Sequence, residues 1–336
     1  MRILVTGAAG FIGSHLSEAL LADGHDVVGF DGFDPFYPRL IKERNLTTAR
    51  ASVRFRFVEG DLRDRAAVEA PFADGPFDVV AHVAAKAGVR PSLADPVGYI
   101  EANLVGTAHL LEAMRESGTD RLVFASSSSV YGNNEKVPFH EDDNVDRPVS
   151  VYAMTKKANE EQLHVHAALY GIRTLCLRLF TVYGPRQRPE MAIHKFTRLL
   201  YQGREIPVFG DGSMERDFTY VDDIVAGIVA AVERVGELEF EIVNLGNHSP
   251  VRLSELVDRL VETTGKAPRI VHHPVPPGDV RRTWADVERA GRLLGYAPTT
   301  SIDEGLRRFV AWYEENGADV EAALEGRRSA AATELE

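Results

Sequence analysis

Apolar positions follow two rhythms along this chain, and the rhythms alternate. Residues 2–6, Arg2-Ile3-Leu4-Val5-Thr6, are a short run rich in β-formers, and behind them Ile12, Leu16, Ala19 and Leu20 recur at helical spacing. Gly24-His25 turns the chain, and residues 26–31 read as a second strand that ends in the carboxylate of Asp31. The pattern continues with strands over 53–58, 77–82, 121–125 and 173–180, and with helices over 99–114 and from Ser150 onward. Strand and helix in regular succession predict an α/β fold built on a doubly wound parallel sheet. Prolines and glycines interrupt the rhythm over 181–218, around one helix at 194–200. It returns at 218–235 and 240–245, followed by helices over 253–264 and 301–315 and a short strand at 269–271. The expected organisation is a sheet domain of residues 1–180 plus 219–248 and a smaller, discontinuous α/β domain of 181–218 plus 249–315 over the strand ends. Residues 316–336 are expected to be a flexible tail.

Composition narrows the function classes. The 336 residues suffice for a real core, and 44% hydrophobic and 26% charged residues are ordinary for a globular chain. A net charge of −12 with no basic stripe argues against a nucleic-acid partner. Cys176 is the single cysteine, so no intramolecular disulfide forms, and its apolar surroundings suit an inert thiol. The first strand begins at residue 2, leaving no room for a signal peptide, and no apolar run approaches a membrane span. The expectation is a cytoplasmic protein with no membrane contact. His272-His273 lacks metal-ligand spacing, and no metal site is expected.

Chemistry enters at the loop Gly7-Ala8-Ala9-Gly10-Phe11-Ile12-Gly13, where a strand passes into a helix. Gly7 permits the tight turn, Gly10 lets backbone approach a pyrophosphate, and Gly13 lets helix pack on strand. The anion then meets free N–H groups at the helix start. Asp31, at the next strand tip, is placed to accept both hydroxyls of an adenosine ribose and to repel a 2′-phosphate. No arginine follows in Gly32-Phe33-Asp34, so NAD is favoured over NADP. Asp61, before Leu62 and beyond the third strand, suits an adenine amino group or, equally, a helix N-cap ahead of Asp64. After the fourth strand, Ala84 and Ala85 are small enough to lie close to a flat cofactor, whereas His82 reads as a packed strand residue. Tyr152 and Lys156 lie at i and i+4 on one helix face. A phenol titrates near 10 unperturbed, and a neighbouring ammonium lowers that. The cluster Ser126-Ser127-Ser128-Ser129 at the fifth strand tip adds hydroxyls that can share a substrate proton.

With glycine loop, serine cluster and Tyr152/Lys156 together, the chain resembles the extended short-chain dehydrogenase/reductases over roughly residues 1–315, and among them the NAD-dependent nucleotide-sugar epimerases. The resemblance implies a Rossmann domain with a smaller sugar-nucleotide domain, and NAD retained through turnover. It assigns Tyr152, Lys156 and Ser127 to catalysis, with Ser126 and Ser128 as neighbours that could be confused with Ser127. It places Gly7, Gly10, Phe11, Ile12, Gly13, Asp31, Asp61, Leu62, Ala84, Ala85, Lys86 and Asn103 beside the cofactor. Ser129 stands where decarboxylases and dehydratases of the family carry an acid, so plain removal and return of hydride, an epimerisation, is the chemistry implied.

The segments around Ala84–Leu93, Glu141–Asp146 and Leu179–Pro189 look most like UDP-glucuronate 4-epimerases, although Lys86 stands where glutamine is more usual. A uronate carboxylate needs hydroxyl donors, which Ser126, Ser127, Ser128 and Thr181 can supply. Clamping it would keep the 4-keto, β-keto-acid intermediate from losing CO2. Arg90, Arg188, Met191 and Lys195 are further substrate candidates. Val208 and Phe209 belong to the segment that resembles a uracil-holding one, and Arg216 matches an arginine that grips the diphosphate. The customary position of a second such arginine is Pro276, near Gly278-Asp279, leaving Arg281 or Arg282 as its substitute. The helices over 99–114 and 152–170 correspond to those that pair relatives into homodimers. Alternatives of the same fold are a UDP-glucose 4-epimerase or a UDP-glucuronate decarboxylase; a non-catalytic NAD-sensing protein is a remote one.

Overall fold

The computed structural model describes residues 1–275 and 279–333. Its centre is a seven-stranded sheet with all neighbours parallel, in the order β10-β6-β5-β4-β1-β2-β3. The strands are β1 (Arg2–Thr6), β2 (Asp26–Asp31), β3 (Phe55–Glu59), β4 (Val79–His82), β5 (Arg121–Ser127), β6 (Arg173–Leu179), β7 (Thr181–Tyr183), β8 (Glu205–Phe209), β9 (Glu215–Tyr220), β10 (Phe240–Leu245), β11 (Pro250–Arg252) and β12 (Arg269–His273). Central strands read as unbroken apolar runs because helices cover both faces of the sheet. Ile3 and Val5 belong to one core with Leu16, Leu20 and Ile228, while Leu4 turns to the other face with Leu110 and Leu122. The strand order reverses between β1 and β4, the point at which an open α/β sheet leaves a crevice beyond its strand ends.

Two small sheets lie outside this layer, one of order β11-β9-β7 and one pairing β12 with β8. β9 starts ahead of the expected strand, and its register with β7 runs Thr181↔Phe218 to Tyr183↔Tyr220. Strand β3 starts at Phe55 because Val53 is fully exposed and gains nothing by pairing. The helix expected over 99–114 is three joined pieces, Pro96–Ile100, a π-turn at Glu101–Val105, and Gly106–Ser117. Asp95 caps its start by accepting from the Gly98 N–H.

The structure corrects the expected loose tail over 316–333, and residues 334–336 lie outside the described residues. The last helix does not stop near residue 315 but runs Ile302–Thr333. Ala318 onward repeats apolar residues at Val320, Ala323 and Leu324, and Val320 buries itself against Tyr37 and Ile41. Asp319 pairs with Arg44 at 2.6 Å, and Glu321 accepts from Arg198 at 2.8 Å. No helix among the described residues is long and apolar enough to cross a membrane.

Candidate active site

One cavity of about 630 Å³ opens over the carboxyl ends of the sheet strands. One end of it is built by the β1 loop. Gly7 sits at φ 74°, and a Cβ there would lie 2.8 Å from the Ala84 backbone nitrogen. At Gly13 a Cβ would lie 2.1 Å from the Gly7 carbonyl oxygen, so only hydrogen lets the helix Phe11–Ala22 start that close to β1. Its N-cap, Gly10, has no side chain to cap the first turn, and Gly10, Phe11, Ile12 and Gly13 all face the cavity. An uncapped helix start opening into a cavity is a cradle for a pyrophosphate.

Asp31 is buried, and its carboxylate accepts from the N–H groups of Ala9 (3.1 Å) and Phe33 (2.8 Å). Burial pushes its pKa up, opposed by the nearby Lys42 ammonium. Lys42 had no signal in the glycine motif because it lies eleven places beyond Asp31, on the helix Arg39–Asn45. It lines the cavity at 6% exposure, rests over the Tyr37 ring at 4.7 Å, and finds no hydrogen-bond or ion-pair partner among the described residues. Burial pushes this ammonium's pKa down. Asp61 also lines the cavity; it is not the N-cap, a role taken by Asp64, whose carboxylate accepts from Ala66 and Ala67. Arg63 pairs with Asp61 at 2.6 Å and holds its carboxyl below the usual range.

Leu62, Ala84, Ala85 and Lys86 line the same wall. The Lys86 ammonium is turned to Asp95 at 2.7 Å. Asn103 departs from its expected place. It does not line the cavity; instead its amide exchanges hydrogen bonds with the Lys86 backbone (2.8 and 3.0 Å) and donates to Thr155 at 3.0 Å. A buried carboxamide needs such partners, and here they pin the wall to the helix Val151–Tyr170. His82 is a packed strand residue between Thr6 and Thr107, its pKa pushed down to about 3 by burial.

The groups expected to react line the same cavity. Strand β5 delivers Ser126 and Ser127, and Ser150 caps the helix Val151–Tyr170, which presents Tyr152 and Lys156. The Ser127 hydroxyl accepts from the Ser129 N–H at 3.1 Å and lies near enough to the Tyr152 phenol to favour its phenolate. Burial raises the phenol's pKa, while Ser127 and the Arg188 charge oppose the rise. Lys156 donates to the Ala125 carbonyl at 2.6 Å, and burial brings its pKa down to about 7. Ser126 is committed elsewhere: it donates to Glu160 at 2.7 Å, and Glu160 is clasped by buried Arg178 at 2.9 and 2.8 Å. Of the three candidate serines, Ser127 is therefore the one that acts on the Tyr152 phenol. Ser128 and Ser129 also line the cavity.

Thr181, Arg188, Met191, Lys195, Phe209, Arg216 and Arg90 line the far end. Arg188 donates to the Ala87 carbonyl at 3.1 Å and pairs with Glu190 at 3.2 Å. Asp279, unforeseen as a site residue, joins two elements by accepting from Arg90 and Arg216 at 2.8 Å each. Besides Asn103, two more of the expected residues lie outside the cavity. Val208 points into the core because alternation along β8 turns Pro207 and Phe209 outward, and Arg282 is drawn off by its ion pair with Glu215. Arg281 does not line it either, and Pro276 and Gly278 lie outside the described residues.

A model of the NAD dependent epimerase/dehydratase family matches residues 3–246. The chain is similar to a UDP-glucuronate 4-epimerase of Thermodesulfobacterium geofontis, 41% identical over 93% of this chain and 96% of the relative. It is similar to UDP-glucuronate 4-epimerase 3 of Arabidopsis thaliana, 43% identical over 93% of this chain and 76% of the relative. Among solved structures, the UDP-glucuronic acid 4-epimerase from Bacillus cereus in complex with UDP-glucuronic acid and NAD superposes with a TM-score of 0.89. That pair is 37% identical over 94% of this chain and 99% of the other.

Proposed function

The chain belongs to the NAD dependent epimerase/dehydratase family, and from that premise we propose that it is a UDP-glucuronate 4-epimerase, interconverting UDP-glucuronate and UDP-galacturonate through a transient 4-keto sugar. The observation that carries this reading is one cavity lined by the uncapped helix start, by Ser127, Tyr152 and Lys156 together, and by a far end with Thr181, Arg90 and Arg216. Similarity to UDP-glucuronate 4-epimerases supports the substrate.

Gly7, Gly10, Gly13 and Asp31 would hold NAD, which would supply a reversible hydride acceptor for sugar C4. Tyr152 is the group that takes the C4 hydroxyl proton and later gives it back, and Ser127 shares that proton. Lys156, once protonated, favours the phenolate and can hold a ribose hydroxyl. Asp31 accepts from the adenosine ribose, and its charge discourages a 2′-phosphate. Ser128 and Thr181 donate to the uronate carboxylate, with Arg188 adding charge nearby. Holding that carboxylate out of line with the C4 carbonyl π system suppresses loss of CO2. Ser129, in place of an acid, leaves no base for C5 chemistry. Arg90 and Arg216 take the diphosphate, exchanging Asp279 for it.

We also read the protein as a cytoplasmic homodimer. Val97, Val105, Val165, Leu169 and Tyr170 are exposed on the helices Pro96–Ile100 to Gly106–Ser117 and Val151–Tyr170, an apolar face suited to a second copy. Proton NMR of the purified protein with UDP-glucuronate and no added NAD tests the activity. UDP-galacturonate is the expected product. A UDP-pentose would mean decarboxylation, and turnover of UDP-glucose alone would move the substrate to a neutral hexose.

A further inference from the structure

The end of the last helix touches two walls of the cavity from outside it. Val320 packs with Tyr37 and Ile41, and Phe36 and Leu324 close over that cluster. Asp319 pairs with Arg44 at 2.6 Å, and Arg327 donates to the Phe36 carbonyl at 2.6 Å. On its other side Glu321 accepts from Arg198 and Gln202, each at 2.8 Å. Both partners of this segment belong to the cavity. Phe36, Tyr37 and Lys42 line its nucleotide end, and the Asn45 amide donates to the Ala9 carbonyl of the glycine loop at 3.0 Å. Arg198 sits on the helix Ala192–Tyr201, from which Ala192, Lys195 and Phe196 line the opposite wall.

We propose that residues 317–327 form a strap which slows release of the dinucleotide by tying the wall at 36–45 to the helix Ala192–Tyr201. The inference rests on the reading of the cavity as the NAD site. A bound dinucleotide leaves by parting these walls, and parting them on the strap side breaks the Val320 cluster and the flanking ion pairs. The strap touches neither reacting group, so its effect falls on retention and not on the proton relay.

The test measures NAD content in the purified full-length protein, then the rate of NAD release into an excess of an NAD-hydrolysing enzyme at 10 °C. Val320→Glu is expected to release NAD about tenfold faster than wild type, which corresponds to ~1.4 kcal/mol. Val320→Ile should behave as wild type. The variant D319A/E321A, confined to polar side chains, should shift the rate in the same direction and guards against misfolding of Val320→Glu. Equal release rates in wild type, Val320→Glu and D319A/E321A overturn the strap. A lower unfolding temperature with an unchanged release rate also overturns it, since that is a merely structural role. If wild type neither carries nor binds NAD, the reading of the cavity fails instead.

Discussion

Lys156 illustrates how a single buried charge trades stability for chemistry. Its ammonium is wholly enclosed, and its pKa falls from an ordinary 10.5 to about 7. The unfolded chain therefore binds the extra proton between these values, so this residue's contribution makes stability rise with pH across that window. Below about pH 7 the full cost of burying the charge is present; toward pH 10 it vanishes. Lys156→Met is accordingly expected to unfold a few degrees higher than wild type at pH 6, with the gap closing by pH 10, while epimerisation is lost; thermal unfolding across pH checks this. Lys42 is the second such charge, close enough to Asp31 to act on its carboxyl. Asp31→Asn is expected to bind NADPH at least about tenfold tighter than wild type does, by leaving Lys42 to meet the 2′-phosphate. Adding Lys42→Met should remove that gain in a fluorescence titration of cofactor-free protein. Equal NADPH binding by the single and double variants would show that the ammonium points elsewhere.

Between β5, β6 and the helix Val151–Tyr170 lies a buried ion pair beside Ser126 and Lys156. Arg178 donates to both Glu160 oxygens and to the Glu141 carbonyl, and its guanidinium lies 4.9 Å from the Tyr131 ring centre. Glu160 in turn accepts from Ser126 and acts on Lys156, four places earlier on the same helix. Removing one partner of such a pair strands the other charge, at a cost of about 3–5 kcal/mol. Glu160→Gln is therefore expected to lower the unfolding temperature by on the order of 10 °C, and calorimetry decides it. An unchanged midpoint would mean that the pair is not needed to hold β5 against the helix. The same element scale shows why β8 turned out as it did. The uracil-like segment at 206–213 was legible as a strand and loop, yet which of Val208 and Phe209 faces the cavity depends on the strand's rotation, and that is set by pairing with β12.

At the scale of the whole molecule, two surfaces remain to be closed. One is the apolar helix face, where Leu169 is 68% exposed and Val97 63%. Light scattering should find a dimer in wild type and a monomer in Leu169→Glu, and a monomeric wild type would remove the homodimer. The other is the crevice itself, which draws on distant parts of the chain. The β1 loop, the β2 tip, the alanines after β4, and Tyr152 with Lys156 were readable from sequence because each is a local device: a glycine, a strand-end acid, a pair four apart on a helix. Local rhythm likewise determined the α/β class and the strands of the parallel sheet, since period-two and helical patterns are written in neighbouring residues. What only the tertiary structure decided depends on long-range pairing. Lys42 enters the cavity because the helix Arg39–Asn45 folds back over Asp31, and Asp279 does so because it meets arginines from positions 90 and 216. Asn103 and Arg282 left the expected site because nearer partners, the Lys86 backbone and Glu215, satisfied them first. Residues past 316 read as a tail because their apolar residues are few and small. Those from 317 to 333 are helical because Tyr37, Ile41 and Arg198, far away in sequence, provide the surface this helix end covers.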